Sequence, residues 1–83
     1  MLTVSVISPE RVLFEGEVDA VTAPAFDGQV GILTSHAPMM TLLGSGTLLL
    51  GNSGSQGRFH VEGGFLQVAD NQVRVVTERA AQL

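Results

Sequence analysis

The segment from Phe26 to Thr41 reads FDGQVGILTSHAPMMT and decides how the chain is interpreted. In its first half, Val30 and Ile32 are separated by a glycine, which gives the period-two pattern of a β-strand. Polar residues then interrupt the pattern, and His36-Ala37-Pro38 leads into a second apolar run. We predict strands at residues 28–33 and 39–43, joined by a docking loop at residues 34–38. Nothing in this segment is arranged for bond-making chemistry.

The same period-two pattern recurs along the rest of the chain. Leu2, Val4 and Val6 alternate with small polar residues, and later apolar runs are short and separated by Gly, Pro, Asn and Ser. Glycine is too frequent for a long helix interior. The sequence therefore predicts an all-β fold, a small β-sandwich or flattened barrel of about nine to ten short strands.

Single residues set several of the predicted strand boundaries. Gly16 is expected to bend or bulge the chain between strands at 12–17 and 18–23. Pro24 is expected to stop pairing because it has no N–H to donate. The other predicted features are a turn at 44–46, a hairpin tip at 51–57, strands at 47–50, 58–62, 65–69 and 73–77, a close approach or bulge at Gly63-Gly64, and a helix start at 78–83.

Composition restricts the class of protein. A chain of 83 residues is too short to divide into two separate cores, so residues 1–83 are expected to form a single domain. Four scattered arginines against eight carboxylates give a net charge of −4, which argues against a nucleic-acid partner. No apolar run approaches the ~20 residues that cross a bilayer, so no direct membrane insertion is expected.

Few side chains offer catalytic or metal chemistry. The two histidines, His36 and His60, have no cysteine to join them in a metal site, and His60 is expected to be a surface strand residue. Ser35 precedes His36, but neighbouring side chains on an extended backbone point to opposite faces. The alternating carboxylates Glu15, Glu17 and Asp19 are expected to form a solvated face. We therefore predict no catalytic residue, metal or cofactor.

Apolar residues after the docking loop point to a different role. Met39, Met40, Leu42, Leu43 and residues 48–50 provide more apolar surface than a thin sandwich readily hides. A flexible methionine adapts to a partner surface. Their number favours a domain with one uncovered apolar face that binds another protein.

Two blocks of sequence resemble the N-terminal β-sandwich of the ATP synthase epsilon subunit. They are Gly28-x-Val30-Gly31-Ile32-x-x-x-His36-Ala37-Pro38-x-x-Thr41 and Gly63-Gly64-Phe65-Leu66-x-Val68, the latter followed by Val73-x-Val75-Val76. The resemblance runs from Leu2 to about Ala80. It implies a non-catalytic rotor subunit that links the gamma subunit to the membrane c ring and couples proton transport to ATP synthesis, on the cytoplasmic face of the bacterial inner membrane.

The resemblance also implies two contact sets. Carried over by position, the gamma-subunit contacts are Ser8, His36, Ala37, Pro38, Met39, Met40 and Thr41. The c-ring contacts are Asp27, Gly28, Gln29 and Val30. Thr34-Ser35 stands where the family commonly has a proline and a small residue, so the docking loop is less preset in its backbone angles. Nucleotide binding in the family involves C-terminal helices, so no nucleotide is expected from the 83 residues present.

Other classes of all-β domain fit the sequence less well. A lipoyl or biotinyl carrier needs a lysine at a hairpin tip, and the chain has no lysine. A carbohydrate-binding sandwich usually stacks sugars on tryptophan or tyrosine, and the chain has neither. A free-standing β-sandwich binding module is the remaining alternative.

Overall fold

A computed structural model of the chain describes residues 1–83 and contains eight β-strands. The strands are β1 (Leu2–Ile7), β2 (Val12–Val18), β3 (Ala20–Ala25), β4 (Gly28–Leu33), β5 (Met39–Leu42), β6 (Ser45–Leu50), β7 (Gly57–Ala69) and β8 (Gln72–Gln82). A single 3-10 turn at Asn52–Gly54 forms the tip of the β6–β7 hairpin, as the composition predicted. No helix in the structure has both the length and the apolar character needed to span a bilayer.

The strands form two layers because β7 and β8 are long enough to serve in both. The first layer has the order β2-β1-β8-β7-β5, and the second has the order β4-β3-β6-β7-β8. Residues 57–62 of β7 pair with β6, and residues 65–68 pair with β5. Counting each half of these two strands separately gives ten strand segments. The predicted β-sandwich is confirmed.

A single apolar core lies between the layers and contains 16 buried hydrophobic residues. Leu2, Val4 and Val6 of β1 are fully buried, while Thr3 between them is exposed. The alternation read from the sequence therefore sets which face of β1 enters the core. Burying each of these side chains contributes roughly 1.5–3 kcal/mol relative to exposure.

Both boundary predictions made from single residues in β2 and β3 were wrong. Gly16 stays in register opposite Val4, and the break between β2 and β3 falls at Asp19. Pro24 continues β3 opposite Gln29 of β4, because pairing of β3 with β6 ends at Thr22. On the side of Pro24 that faces away from β4 no strand is paired, so no carbonyl there requires the N–H that proline lacks.

Two later boundaries also differ from prediction. Of the predicted turn at 44–46, only Gly44 lies outside a strand, because β6 begins at Ser45. The predicted helix start at 78–83 is strand, since Ala80 and Gln82 pair with Val61 and Phe59 of β7. A neighbouring strand overrides the local helix propensity of this alanine-containing segment.

The bend in β7 depends on Gly63 and Gly64, which have φ values of 72° and 103°. A Cβ on Gly64 would overlap the carbonyl oxygen of Val76 and come within 2.7 Å of the Cα of Thr77. Thr77 is buried at this crossing, and its hydroxyl donates to the Arg79 carbonyl at 2.8 Å. The close approach predicted for the glycine pair is confirmed, and Gly64 makes it.

We expect Gly64→Ala to lower the free energy of unfolding by about 2–4 kcal/mol, because it adds both a positive-φ penalty and an overlap with backbone. Urea unfolding followed by circular dichroism measures the change. Gly31→Ala is the matched control, because a Cβ added to Gly31 in β4 would meet no other atom within 4 Å. Equal unfolding free energies for the two variants would contradict the importance of this contact.

Candidate functional site

The docking loop crosses from β4 in the second layer to β5 in the first. His36 N donates to the Leu33 carbonyl at 3.1 Å, which closes the turn, and Ser35 takes a positive φ of 69°. Ser35 N donates to Oδ1 of Asn71 at 2.6 Å. Asn71 belongs to the β7–β8 hairpin, so that hairpin anchors the loop from a position 36 residues away in sequence.

The prediction that Ser35 and His36 diverge rested on an extended backbone, and that reason was wrong. Ser35 lies in a turn, not in a strand. The His36 ring donates through Nδ1 to the Ala37 carbonyl at 2.7 Å, so the hydrogen bond goes to backbone and not to the serine hydroxyl. His36 is half-buried, and Ala37 and Pro38 are exposed.

β5 divides the residues after the docking loop between core and surface. Met39 packs against the core, whereas Met40 and Leu42 are 64% and 62% exposed. Thr41 is half-buried between them. Of the predicted gamma contacts on β5, Met40 therefore presents the largest apolar surface. Leu42 was absent from that set, although its place two residues after Met40 in a strand puts it on the same face.

Ser8 lies far from the docking loop, in the turn between β1 and β2. Its N–H donates to the Arg11 carbonyl at 2.9 Å, and Arg11 N donates back to Ser8 Oγ at 3.3 Å. The register of the first layer places Ser8 beyond Ile7 at one end of the strands and His36 beyond Met39 at the other. The predicted gamma contacts thus form two groups near diagonally opposite corners of the first layer.

The predicted c-ring contacts lie in and after the β3–β4 turn. Asp27, Gly28 and Gln29 are exposed, and Gly28 has a φ of 138°. Val30 packs against the core, so its side chain is the least accessible of the set. Phe26, which was not in the predicted set, is 68% exposed beside it. An aromatic residue immediately before the Asp-Gly of a turn was the signal for it in the sequence.

Several ionisable residues line an open groove of about 530 Å³ between the β1–β2 turn, the first half of β7 and the end of β8. Its ionisable residues are Glu10, Arg11, His60, Glu62, Glu78 and Arg79. His60 Nε2 lies 3.3 Å from Glu62 Oε2, and both side chains are more than 40% exposed. His60 is the surface strand residue that was expected. Glu15, Glu17 and Asp19 are exposed as predicted.

Comparison with known proteins gives these surfaces a context. Residues 1–83 match the model of the family described as ATP synthase, Delta/Epsilon chain, beta-sandwich domain. The chain belongs to this family. The epsilon chain of Leptospira borgpetersenii serovar Hardjo-bovis is 45% identical over 80 residues, which are 96% of this chain and 63% of that protein. The epsilon chain of Caulobacter vibrioides is 38% identical over 78 residues, covering 94% and 91% of the two chains.

Two solved structures of ATP synthases contain a chain with the same fold. A chain of the Euglena gracilis mitochondrial ATP synthase matches with a TM-score of 0.86 at 24% identity, covering 98% of this chain and 52% of that one. A chain of the Tetrahymena thermophila central stalk and c-ring structure matches with a TM-score of 0.77 at 19% identity, over 96% and 65% of the two chains. The chain spans 63% of the length of the Leptospira relative.

We expect loss of the Asn71 side chain to loosen the docking loop of this epsilon-family sandwich without disturbing the hairpin. Asp70 and Asn71 have φ values of 50° and 60°, which glycine adopts readily, so Asn71→Gly removes only the acceptor of the Ser35 N–H. A hydrogen bond worth about 1 kcal/mol predicts roughly fivefold faster hydrogen exchange at the Ser35 amide.

The matched control is Asp70→Gly, because Asp70 shares the turn and its side chain makes no hydrogen bond in the structure. Exchange is followed by NMR. Equal acceleration in both variants would mean that hairpin flexibility, and not the Asn71 acceptor, sets the exchange rate.

Proposed function

We propose that this chain is a non-catalytic subunit of the central stalk of a rotary ATP synthase, linking the gamma subunit to the membrane c ring. It turns with the gamma subunit and couples proton transport to ATP synthesis, as a peripheral membrane protein on the cytoplasmic face of the bacterial inner membrane. Family membership supports the choice of complex. The observation that carries the linking role is that the two predicted contact sets occupy separate exposed parts of one sandwich.

The gamma subunit is proposed to bind the first layer. Ser8, the docking loop and Met40 all lie on this layer or at its ends, although Ser8 and Met40 are distant in sequence. The residues that the resemblance assigned to a single partner thus share one layer, in two groups at its opposite corners. Exposed Met40 supplies the flexible apolar side chain that such a contact favours.

The c ring is proposed to bind the β3–β4 turn. One backbone hydrogen bond joins this turn to β5, from Phe26 N to the Leu42 carbonyl at 3.1 Å. A second joins the end of β3 to a residue between β5 and β6, from Gly44 N to the Pro24 carbonyl at 2.7 Å. Ala25 and Leu43 add a bridge at the same place. A force applied at the turn thus reaches β5, next to the proposed gamma contacts, through hydrogen-bonded backbone. This stiff connection supports a mechanical role.

We expect Met40→Glu to weaken binding to the gamma subunit about 30-fold, because a charge would be buried in an apolar contact worth about 2 kcal/mol. Titration calorimetry with purified gamma subunit measures the affinity. Gln56→Glu places the same charge on the exposed β6–β7 hairpin tip and should bind as the original chain does. If Met40→Glu binds with unchanged affinity, Met40 lies outside the interface.

We expect single cysteines to report the two partners separately. The chain has no cysteine, so Gln29→Cys and His36→Cys each create one unique site for a short photoactivatable maleimide attached before assembly. After illumination of the assembled synthase, Gln29→Cys should give a product containing a c subunit, and His36→Cys a product containing gamma. The same product from both variants would contradict the two-surface arrangement.

A further inference from the structure

The methionines are the side chains of this protein that are most open to oxidation. The sequence contains three methionines and no cysteine, tryptophan or tyrosine, so the thioether sulfurs are the groups that a peroxide attacks most readily. Met1 and Met40 are 60% and 64% exposed, whereas Met39 packs against the core. A peroxide in solution therefore reaches Met1 and Met40 before Met39.

The position of Met40 distinguishes it from the other two methionines. Met39 and Met40 are consecutive in β5, so their side chains lie on opposite faces of the first layer. Met40 is opposite the exposed Gln67 of β7, outside the core. A change at its sulfur thus leaves the packing of the sandwich intact. Met1 lies outside both predicted contact sets, and Met40 lies within the gamma set.

We propose that Met40 is a site of reversible oxidation and that its sulfoxide form binds the gamma subunit weakly; this inference rests on the proposed function. The sulfur lone pair attacks one oxygen of hydrogen peroxide, so an S–O bond forms while the O–O bond breaks, and the second oxygen leaves as water. Sulfur loses two electrons and the peroxide gains them. The product carries a polar oxygen in place of an apolar thioether. Because the gamma subunit would cover Met40, the free chain is the sensitive form.

Reversal of the modification requires thiols from another protein, because this chain has no cysteine. Methionine sulfoxide reductases remove the oxygen as water while two thiols become a disulfide, and a separate enzyme acts on each epimer of the sulfoxide. A side chain as exposed as Met40 is accessible to both enzymes. Oxidation would therefore withdraw the free subunit from assembly, and reduction would return it.

We expect brief treatment with hydrogen peroxide to lower gamma affinity about 10-fold or more, because the sulfoxide oxygen would be buried without a hydrogen-bond donor. Titration calorimetry with untreated gamma subunit, after removal of the peroxide, measures the affinity. Treatment with both reductases should restore it. Met39→Leu keeps Met40 and should lose affinity on oxidation as the original chain does. Met40→Leu lacks the sulfur, so its affinity should be the same before and after peroxide.

Fragmentation mass spectrometry assigns each added oxygen to Met1, Met39 or Met40, and urea unfolding checks that the treated chain is folded. Saturating gamma subunit should slow the oxidation of Met40 relative to that of Met1, which serves as the exposed reference. Full gamma affinity of a folded chain oxidised at Met40 would overturn the proposal. So would an equal loss of affinity in peroxide-treated Met40→Leu, since another group would then be responsible. Failure of the untreated chain to bind gamma would instead refute the proposed function.

Discussion

The architecture depends on the close approach of the Gly64 backbone to the backbone of Val76 and Thr77. Because no side chain stands between them, β7 and β8 can bend together and pass from one layer to the other while remaining paired. The same bend holds the β5–β6 connection, since Leu43 N donates to the Gly64 carbonyl at 3.0 Å and Gly63 N donates to the Gly44 carbonyl at 3.3 Å. The glycine pair thus fixes the place of β5, and with it the direction in which Met40 and Leu42 face solvent.

The alternation of apolar and polar residues predicted much of the fold, because in a strand with one buried face every second side chain points into the core. β1 is the clearest case, with Leu2, Val4 and Val6 buried in turn. The failures occurred where a neighbouring strand decides the outcome. Pro24 is tolerated because β6 has already ended pairing at Thr22, and residues 78–82 are extended because β7 pairs with them. Neither outcome can be predicted from the sequence of the segment itself.

The surfaces show the same distinction between features set by one strand and features set by several strands. The exposed side of Met40 follows from one strand, so sequence alone could nominate it. The alignment of Leu42 with Phe65 and Val76 depends on the register of three strands, and each of these residues taken singly resembles an ordinary apolar strand residue. The bond from Ser35 to Asn71 likewise joins residues 36 positions apart. Sequence reasoning placed the docking loop on the surface but could not say what holds it there.

The edges of the two layers add an independent argument for covered surfaces. Exposed edge strands invite pairing with other chains, and charged side chains are a common protection. β2 carries Glu15 and Glu17, and the second half of β8 carries Glu78 and Arg79, whereas β4 and β5 contain no charged residue at all. The two edges without charge are those that carry the proposed ring and gamma contacts, and the β3–β4 turn covers part of the β5 edge through the bond from Phe26 N to the Leu42 carbonyl. In the proposed assembly the two partners cover these edges, and the charged residues lie on the other two edges, β2 and the second half of β8.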